Sequence, residues 1–443
     1  MTLFCFVMLL GLVSVPVIRM LFRPEKTFEY PYFMATAFAV FILPQAFSLM
    51  RFPGGVAEQS VEDVLLMSVL CLAACMVGYK IAPEYALVRR AKNRVEAGRL
   101  FHAGVLFISL GYLFKVLLGH TEIQIAESGG MTGSGTILLF FEQLVFPGFA
   151  ICFLLALKRP SAPRVAAAVA GVILPLQTVL SGRREPTVLL GMTLLLGLFY
   201  ARKMRPPRWL IPATIVVTTI AIPATGTYRG LRAEKDWAGM MQMDLLGNFK
   251  RFITDESILE LRNGAALIES TKATGNYEYG AGYWNHLVFR YVPAQILGTT
   301  FKDSLKLHTG WDLSEATVTQ TGFELSRGST ITGMGDAFHQ FGWFGCLFFA
   351  LTAIVFRNLW LASLQPDALF AQLVYMSSCT AAMRAVTHWT LDFLPGLLYN
   401  VLFVGLAMVY ASAPGGPKLG RSRRKFQKPR QVGSSASVPS VST

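Results

Sequence analysis

The sequence predicts an all-α fold, a polytopic transmembrane bundle of about eleven helical spans with one large external loop. Of the 443 residues, 53% are hydrophobic and only 15% are charged, whereas soluble domains carry roughly 25% charged residues. Continuous apolar runs of about 15–22 residues, the length of a helical span, recur along the chain. They lack the alternation of a membrane barrel, and only helices or closed barrels satisfy the backbone in hydrocarbon.

The apolar runs place the individual spans. The first begins at Met1 without a basic segment or a cleavage site, so we expect a retained span and not a signal peptide. We predict spans at roughly 1–18, 31–50, 62–82, 100–118, 136–157, 165–180, 186–200, 209–224, 336–356, 368–386 and 393–412.

The distribution of Lys and Arg predicts the orientation. The net charge is +14, and nearly all basic residues of the short connections lie in alternate ones. The remaining short connections hold only Arg51, Arg183 and Arg184. Because cytoplasmic loops are rich in Lys and Arg, these three residues and the N-terminus should face outward. This pattern indicates membrane topology, so we predict no nucleic-acid partner.

Four regions follow from this topology. Residues 1–225 form an N-terminal bundle of spans, 226–335 a large external loop that is partly helical, 336–412 the C-terminal spans, and 413–443 a disordered, basic cytoplasmic tail that contacts anionic lipid. Within the loop, 254–273 reads as an amphipathic helix with Thr254 as its N-cap. The aromatic stretch 275–293 is expected at the membrane interface.

Arginines gather at the predicted external ends of the spans. Two of them stand in SGRRE (181–185), between two apolar runs, and two follow the eighth span in TGTYRGLRAEKDW (225–237). The guanidinium fork binds phosphate oxygens with two hydrogen bonds, so the set predicts a pyrophosphate site. The alternative is that each arginine pairs with a nearby carboxylate, such as Glu185, or reaches the headgroups. The candidates are Arg183, Arg184, Arg229, Arg232, Arg290 and Arg384.

Histidines show the same external bias. Four of the six histidines lie in or near the predicted external regions: His286, His308, His339 and His388. A histidine or a perturbed carboxylate can act as a general base near neutral pH, which makes His339, Asp336 and His286 the catalytic candidates. The alternatives are an interfacial hydrogen bond for each histidine, a helix cap for Asp336, and close helix packing for the glycines of GMGDAFHQFGWFG (333–345).

Several enzyme signatures are absent from the sequence. It contains no Walker A motif, no GxSxG, no HExxH and no Asp-x-Asp. The six cysteines lie in apolar runs and form neither a disulfide framework nor a zinc spacing. We therefore predict no metal site and no cofactor.

Three motifs resemble the Wzy-type O-antigen and exopolysaccharide repeat-unit polymerases of bacteria. They are SGRREPTVLLGMTLLLGLFY (181–200), GTYRG (226–230) and GMGDAFHQFGWFGCLFF (333–349). The resemblance implies a GT-C-like fold in the inner membrane and an inverting, metal-independent glycosyl transfer. A chain on polyprenyl pyrophosphate would be moved to the non-reducing end of the next lipid-linked repeat. A chain-length regulator and a flippase of the same pathway are candidate partners.

The resemblance also implies roles for residues. Arg183 and Arg229 would bind the pyrophosphate, with Arg184 and Arg232 as helpers, and Arg384 is added to this predicted pyrophosphate site by its position at a span end. His339 or Asp336 would take the proton of the acceptor hydroxyl. The chain departs from the family in having one large loop, and neither external region shows the family's Arg-x10-Gly spacing.

Aromatic residues of the loop are candidates for sugar contacts. Tyr283 and Trp284, with Arg290, are the predicted sugar-binding residues, and Tyr277, Tyr279 and Trp311 share their character. Anchoring at the membrane interface is the alternative.

Other functions remain open on the sequence. An O-antigen ligase-like transferase would use the same donor, with His286 in the role of a ligase histidine. A lipid-linked oligosaccharide flippase or a non-catalytic scaffold are further alternatives, although charges gathered at the outer surface favour surface chemistry over transport.

Overall fold

The fold is known from a computed structural model, which describes residues 1–81, 95–122, 124–125, 131–254, 260–307, 322, 330–365 and 367–412. Residues 1–412 form one compact unit. The predicted tail, His308 and Trp311 lie outside the described residues. The described chain is almost wholly helical, which confirms the predicted class, and its one described sheet is a two-stranded ribbon.

The first half of the chain forms the following elements: α1 (Thr2–Phe22), a 3₁₀ helix (Pro24–Phe28), α2 (Tyr30–Ala37), a π-helix (Phe38–Ile42), α3 (Leu43–Arg51), α4 (Glu58–Lys80), α5 (Ala97–Gly119), β1 (Gln124–Ile125), β2 (Met131–Thr132), α6 (Ser134–Glu142), α7 (Val145–Lys158), α8 (Ala162–Leu180), α9 (Arg184–Arg202) and α10 (Leu210–Ala233). The two strands pair antiparallel, with Gln124 opposite Thr132.

The second half contains short helices and then long ones: α11 (Trp237–Met241), α12 (Leu245–Thr254), α13 (Glu260–Thr274), α14 (Ala281–Tyr291), α15 (Ala294–Leu297), α16 (Thr299–Ser304), α17 (Thr332–Phe341), a 3₁₀ helix (Gly342–Cys346), α18 (Leu347–Ser363), α19 (Leu369–Thr387), a 3₁₀ turn (Thr390–Asp392) and α20 (Phe393–Ala411).

Nine segments of the described chain are long and apolar enough to cross a membrane, so the protein is a multi-pass helical membrane protein. Each coincides with a predicted span. The other two predicted spans are present as α9 and α19, helices of 19 residues each that lie outside this set. The total of eleven spans therefore stays a prediction. The nine segments are Thr2–Phe22, Tyr30–Arg51, Glu58–Lys80, Ala97–Gly119, Ser134–Lys158, Ala162–Leu180, Leu210–Ala233, Thr332–Ser363 and Thr390–Ala411.

Glycines set the packing around α17. Thr332–Ser363 has 32 residues, about 48 Å if it were one straight helix, and it is broken at Gly342, whose φ is +58°. A Cβ on Gly335 would lie 2.6 Å from the Cα of Gly264 in α13. The predicted role of these glycines in close helix packing is thus confirmed for Gly335.

Two local predictions were wrong. Helix α10 continues through GTYRG to Ala233, beyond the predicted end of the eighth span, and Arg232 in its last turn interacts favourably with the helix C-terminus. Thr254 does not cap the following helix, because it ends α12, where its hydroxyl donates to the carbonyl oxygen of Lys250. The first turns of α13 are also buried on all sides, since polar residues such as Asn263 and Thr271 are buried as Leu261 is, and only Lys272 and Ala273 near its C-terminus are exposed.

The connections between helices meet at the two ends of the bundle in the predicted grouping. At one end Arg205 pairs with Glu25, at 3.5 Å, and Lys158 donates to the side chain of Gln372, at 2.8 Å. The SGRRE turn lies at the other end, together with α13 and α14. The compartment that each end faces stays a prediction.

Candidate functional site

The SGRRE turn joins α8 to α9 and fixes three other elements. Gly182 has a φ of +76°, a conformation that favours glycine, and Arg183 is the N-cap of α9. Arg184 Nη1 lies 3.1 Å from Glu260 Oε1 at the start of α13, and its Nε donates to Thr225 Oγ1 in α10, at 3.3 Å. Arg184 therefore braces the turn against two neighbouring helices.

The acid of the same turn reaches a third helix. Glu185 accepts from Nη1 of Arg384 in α19, at 3.3 Å, and Arg384 Nη2 lies 2.6 Å from Asp392 Oδ2. Asp392 Oδ1 lies 3.0 Å from Nε2 of His286 in α14. Arg384 Nε is buried without a hydrogen-bond partner. The ends of α9, α19 and α14 near the SGRRE turn are thus joined by one chain of charged groups.

Arg183 and Arg229 are in a different situation. Both side chains are exposed, and neither forms an ion pair with any described residue. They are close, because a Cβ on Gly182 would lie 3.1 Å from Cγ of Arg229. The one hydrogen bond found for the Arg229 guanidinium goes to the carbonyl oxygen of Thr225, a turn earlier in its own helix.

Arg232 lies one turn beyond Arg229 on α10. Its Nη1 atom is buried and has no hydrogen-bond partner. The predicted pyrophosphate residues are therefore brought to one end of the bundle but divide into two groups. Arg184 and Arg384 are paired with carboxylates, whereas Arg183 and Arg229 are exposed and have no such partner among the described residues. Arg232, which is half-buried, belongs to neither group.

Helix α14 lies across this end and contacts it with one face. The Tyr283 hydroxyl lies 2.8 Å from Thr390 Oγ1, His286 meets Asp392, and Arg290 Nη2 donates to Gln143 Oε1 at 2.6 Å. These three residues recur at helical spacing, which puts them on one side of α14. Burial, and then the nearby charge of Arg384, lower the pKa of Arg290.

Asp336 and His339 are buried on α17. Asp336 is 1% exposed and accepts from the backbone N–H groups of Thr390, at 2.7 Å, and Leu391, at 3.3 Å. It also accepts from the Thr390 hydroxyl. Asp336 therefore caps the turn that carries Asp392, which agrees with the alternative prediction of a cap, although the capped turn belongs to another element.

His339 is 3% exposed, and its Nδ1 lies 3.0 Å from Thr271 Oγ1. Its Nε2 lies 3.8 Å from Glu278 Oε1, and Glu278 also accepts from Gln340. Burial alone would raise the pKa of Glu278, but the neighbouring His339 and the hydrogen bond from Gln340 lower it below its ordinary value. Neither catalytic candidate on α17 reaches the exposed arginines, and of the three predicted bases only His286 belongs to the charged chain.

His388 lies beside the paired arginines, between α19 and the turn that holds Asp392. Its Nδ1 lies 2.8 Å from Thr387 Oγ1. Burial, and then the positive charge of Arg384, lower the pKa of His388 to about 4. The ring is consequently neutral near pH 7.

The predicted sugar-binding residues differ in accessibility. Tyr283 stacks against Phe341 and Phe348 and is committed to the packing of α14. Trp284 is 47% exposed, although its Nε1 donates to the carbonyl oxygen of Leu305. Tyr279 is 74% exposed. Of the two predicted aromatic residues, Trp284 is therefore the better placed to contact a sugar.

Sequence reasoning missed four residues of the site. Glu260, Asp392, Glu278 and Thr225 were not singled out, because each acquires its role through a partner on another helix. One signal was available for Asp392, which is an acid in the first turn of a predicted span.

Cavities and metal sites do not mark another centre in the described part of the chain. An apolar groove of about 280 Å³ runs along α7 and α8, and one of about 450 Å³ lies between α5 and α20. Neither is lined by the arginines. The described residues include no group of three or more His, Cys, Asp or Glu side chains that could hold a metal.

Comparisons of this chain with protein-family models, with curated proteins and with solved structures find no match. The candidate site therefore stands on the residues of this chain alone.

Proposed function

We propose that the protein is a membrane glycosyltransferase that polymerises lipid-linked oligosaccharide repeats at the periplasmic face of a bacterial inner membrane. A hydroxyl at the non-reducing end of one repeat attacks the anomeric carbon of a chain carried on polyprenyl pyrophosphate. The new glycosidic C–O bond forms as the bond from carbon to the phosphate oxygen breaks. Polyprenyl pyrophosphate leaves, and the hydroxyl proton passes to a base on the protein.

The observation that carries this proposal is the exposed pair Arg183 and Arg229. Both lie at the end of a long helix where a membrane-anchored diphosphate arrives, and both lack a carboxylate partner among the described residues. Two guanidinium groups can accept the negative charge that develops on the leaving group. A carboxylate paired with either arginine would offset the positive charge that the leaving group needs. The nearby Glu185 and Glu260 pair with other arginines instead.

The proton acceptor in this proposal is His286. Its Nε2 meets Asp392, a contact that holds the ring in place and stabilises the imidazolium when the proton arrives. Arg384 in turn holds Asp392. His339 and Asp336, which the resemblance implies as bases, are sealed in helix packing and receive supporting roles here.

The test uses purified full-length protein in nanodiscs with polyprenyl-pyrophosphate-linked repeats. Products are resolved by gel and mass spectrometry. The native protein should give a ladder spaced by whole repeats, and Arg183→Ala should remove the ladder while the protein stays inserted and abundant. Arg183→Lys, which keeps the charge but loses the planar fork, should retain part of the activity.

Arg51→Ala is the matched control, because Arg51 also lies in a predicted external connection but stacks on Phe47. It should leave the ladder unchanged. A normal ladder from Arg183→Ala would exclude the assignment of the pyrophosphate site.

A ligase-like transfer is the second candidate, and the contact between His286 and Asp392 favours it equally. The donor and the arginines would be the same, and the acceptor would be a glycolipid that carries no pyrophosphate. Adding lipid A core to the same assay separates the two. A single addition to that acceptor, without a ladder, would assign the protein as a ligase.

A further inference from the structure

A segment outside the candidate site presents apolar side chains to the surroundings. Helices α11 and α12 follow the last turn of α10 and are joined to it by Glu234–Asp236. Trp237 is 68% exposed, Met241 91% and Leu246 67%. Three large apolar side chains are therefore exposed on two consecutive short helices. Such a surface is usually covered by lipid or by another molecule.

The depth of this segment is set by its hydrogen bonds. Helix α12 turns back along α10, where the Thr227 hydroxyl donates to Asn248 Oδ1 at 3.1 Å. On the adjacent side, the Ser48 hydroxyl in α3 donates to the carbonyl oxygen of Phe252, at 3.3 Å. Thr227 lies about 9 Å below the end of α10 at 1.5 Å per residue. Helix α12 therefore lies level with the last turns of two candidate membrane spans.

The charges of the segment suit a lipid surface. Lys235, Lys250 and Arg251 are exposed. The carboxylates of the segment bind its own backbone. Asp236 accepts a hydrogen bond from the N–H of Gly239, and Asp244 accepts one from the N–H of Gly247, both at 2.8 Å. A helix with exposed Lys and Arg beside an apolar face is typical of an element that lies in the interface plane.

We propose that α11 and α12 form an interfacial hairpin inserted into the outer leaflet, with Trp237, Met241 and Leu246 in the acyl boundary and the basic residues at the phosphates. The lipid occupant follows from continuity, because the hairpin begins where a membrane span ends and returns along it. The hairpin holds the end of α10, and with it Arg229, at the height of the headgroups. This inference concerns membrane contact and is independent of the proposed transferase activity.

Site-directed spin labels test the proposal on the full-length protein in nanodiscs that contain phosphatidylglycerol. Labels are placed at Met241→Cys and Leu246→Cys, in a background where the half-buried Cys346 is replaced by serine. Collisions with oxygen, which concentrates in the bilayer, should exceed collisions with a water-soluble nickel complex several-fold. Lys235→Cys, in the connection that leads into the hairpin, is the control. At this position collisions with the nickel complex should exceed collisions with oxygen.

A second measurement keeps the native side chains. Lipids brominated near the glycerol end of the acyl chain should quench part of the tryptophan fluorescence, and Trp237→Phe should reduce that quenched part. Equal access of the nickel complex to positions 235, 241 and 246 would overturn the proposal. Protection found only in native membranes and lost in nanodiscs would also overturn it and would assign the face to a protein partner.

Discussion

Two groups of arginine lie side by side at the end of the bundle that holds the SGRRE turn, and they differ in what surrounds their charge. Arg184 and Arg384 each contact a carboxylate on another helix, whereas Arg183 and Arg229 are exposed and have no such contact among the described residues. Adjacent positions in SGRRE therefore serve opposite purposes. Arg184 and Glu185 brace the helices, and that bracing leaves Arg183 available for a ligand.

Replacement of Arg384 should have the largest effect on stability. Arg384→Ala leaves Asp392, which is 10% exposed, without its closest cation, and about a third of Arg384 is itself exposed. We expect a loss of about 1–3 kcal/mol, below the cost of breaking a fully buried pair. The measurement is thermal unfolding in detergent, with Arg183→Ala as the matched comparison, which should unfold at the native temperature.

The double variant Arg384→Ala with Asp392→Asn sharpens this comparison. It removes the uncompensated charge, so part of the lost stability should return. Equal destabilisation by Arg183→Ala and Arg384→Ala would remove the distinction between the two groups.

The stability of the protein at acid pH should depend on His388, which lies beside Arg384 of the paired group. The pKa of His388 is lowered from 6.5 to about 4 by burial and by Arg384, so between these pH values the unfolded chain binds a proton that the folded protein does not. Stability should therefore fall as the pH drops from 6.5 to 4, by about 2 kcal/mol at pH 5. His388→Gln should flatten this part of the pH profile, and an unchanged profile would contradict the assignment.

The pair of Arg184 and Glu260 should contribute least. The two side chains are 32% and 16% exposed, and partly exposed pairs contribute about 0.5–1 kcal/mol. A double-mutant cycle with Arg184→Ala and Glu260→Gln measures the coupling free energy directly. A coupling of zero would show that the turn is held by its backbone and by Thr225 alone.

Much of the fold could be predicted because the membrane imposes a simple pattern. The apolar runs placed most helices to within a few residues, although α10 continues beyond its predicted end, and the Lys and Arg distribution grouped the connections by end. The break at Gly342 and the tight contact of Gly335 were anticipated only as close packing. Whether a segment forms a membrane-spanning helix depends mainly on its own residues, and for this reason it can be predicted from the sequence.

The site was less predictable for a physical reason. Arg184 and Arg229 are equivalent candidates in the sequence. They differ in the structure because Glu260, 76 residues after Arg184 in the chain, contacts Arg184. Asp336 was read as a base or a cap of its own helix, yet it caps a turn 54 residues later. Roles that depend on such distant partners appear only when the helices are assembled.

Helix α13 has a consequence for the order in which the chain is assembled. Its Arg262 donates to the carbonyl oxygen of Phe52, which is made earlier, whereas Asn263 donates to that of Thr330, which is made later. Gly264 likewise receives Gly335 from a helix that does not yet exist when α13 is synthesised. Helix α13 can therefore complete its contacts only after the ninth predicted span has been synthesised. Its docking is consequently a late step in the assembly of this end of the bundle.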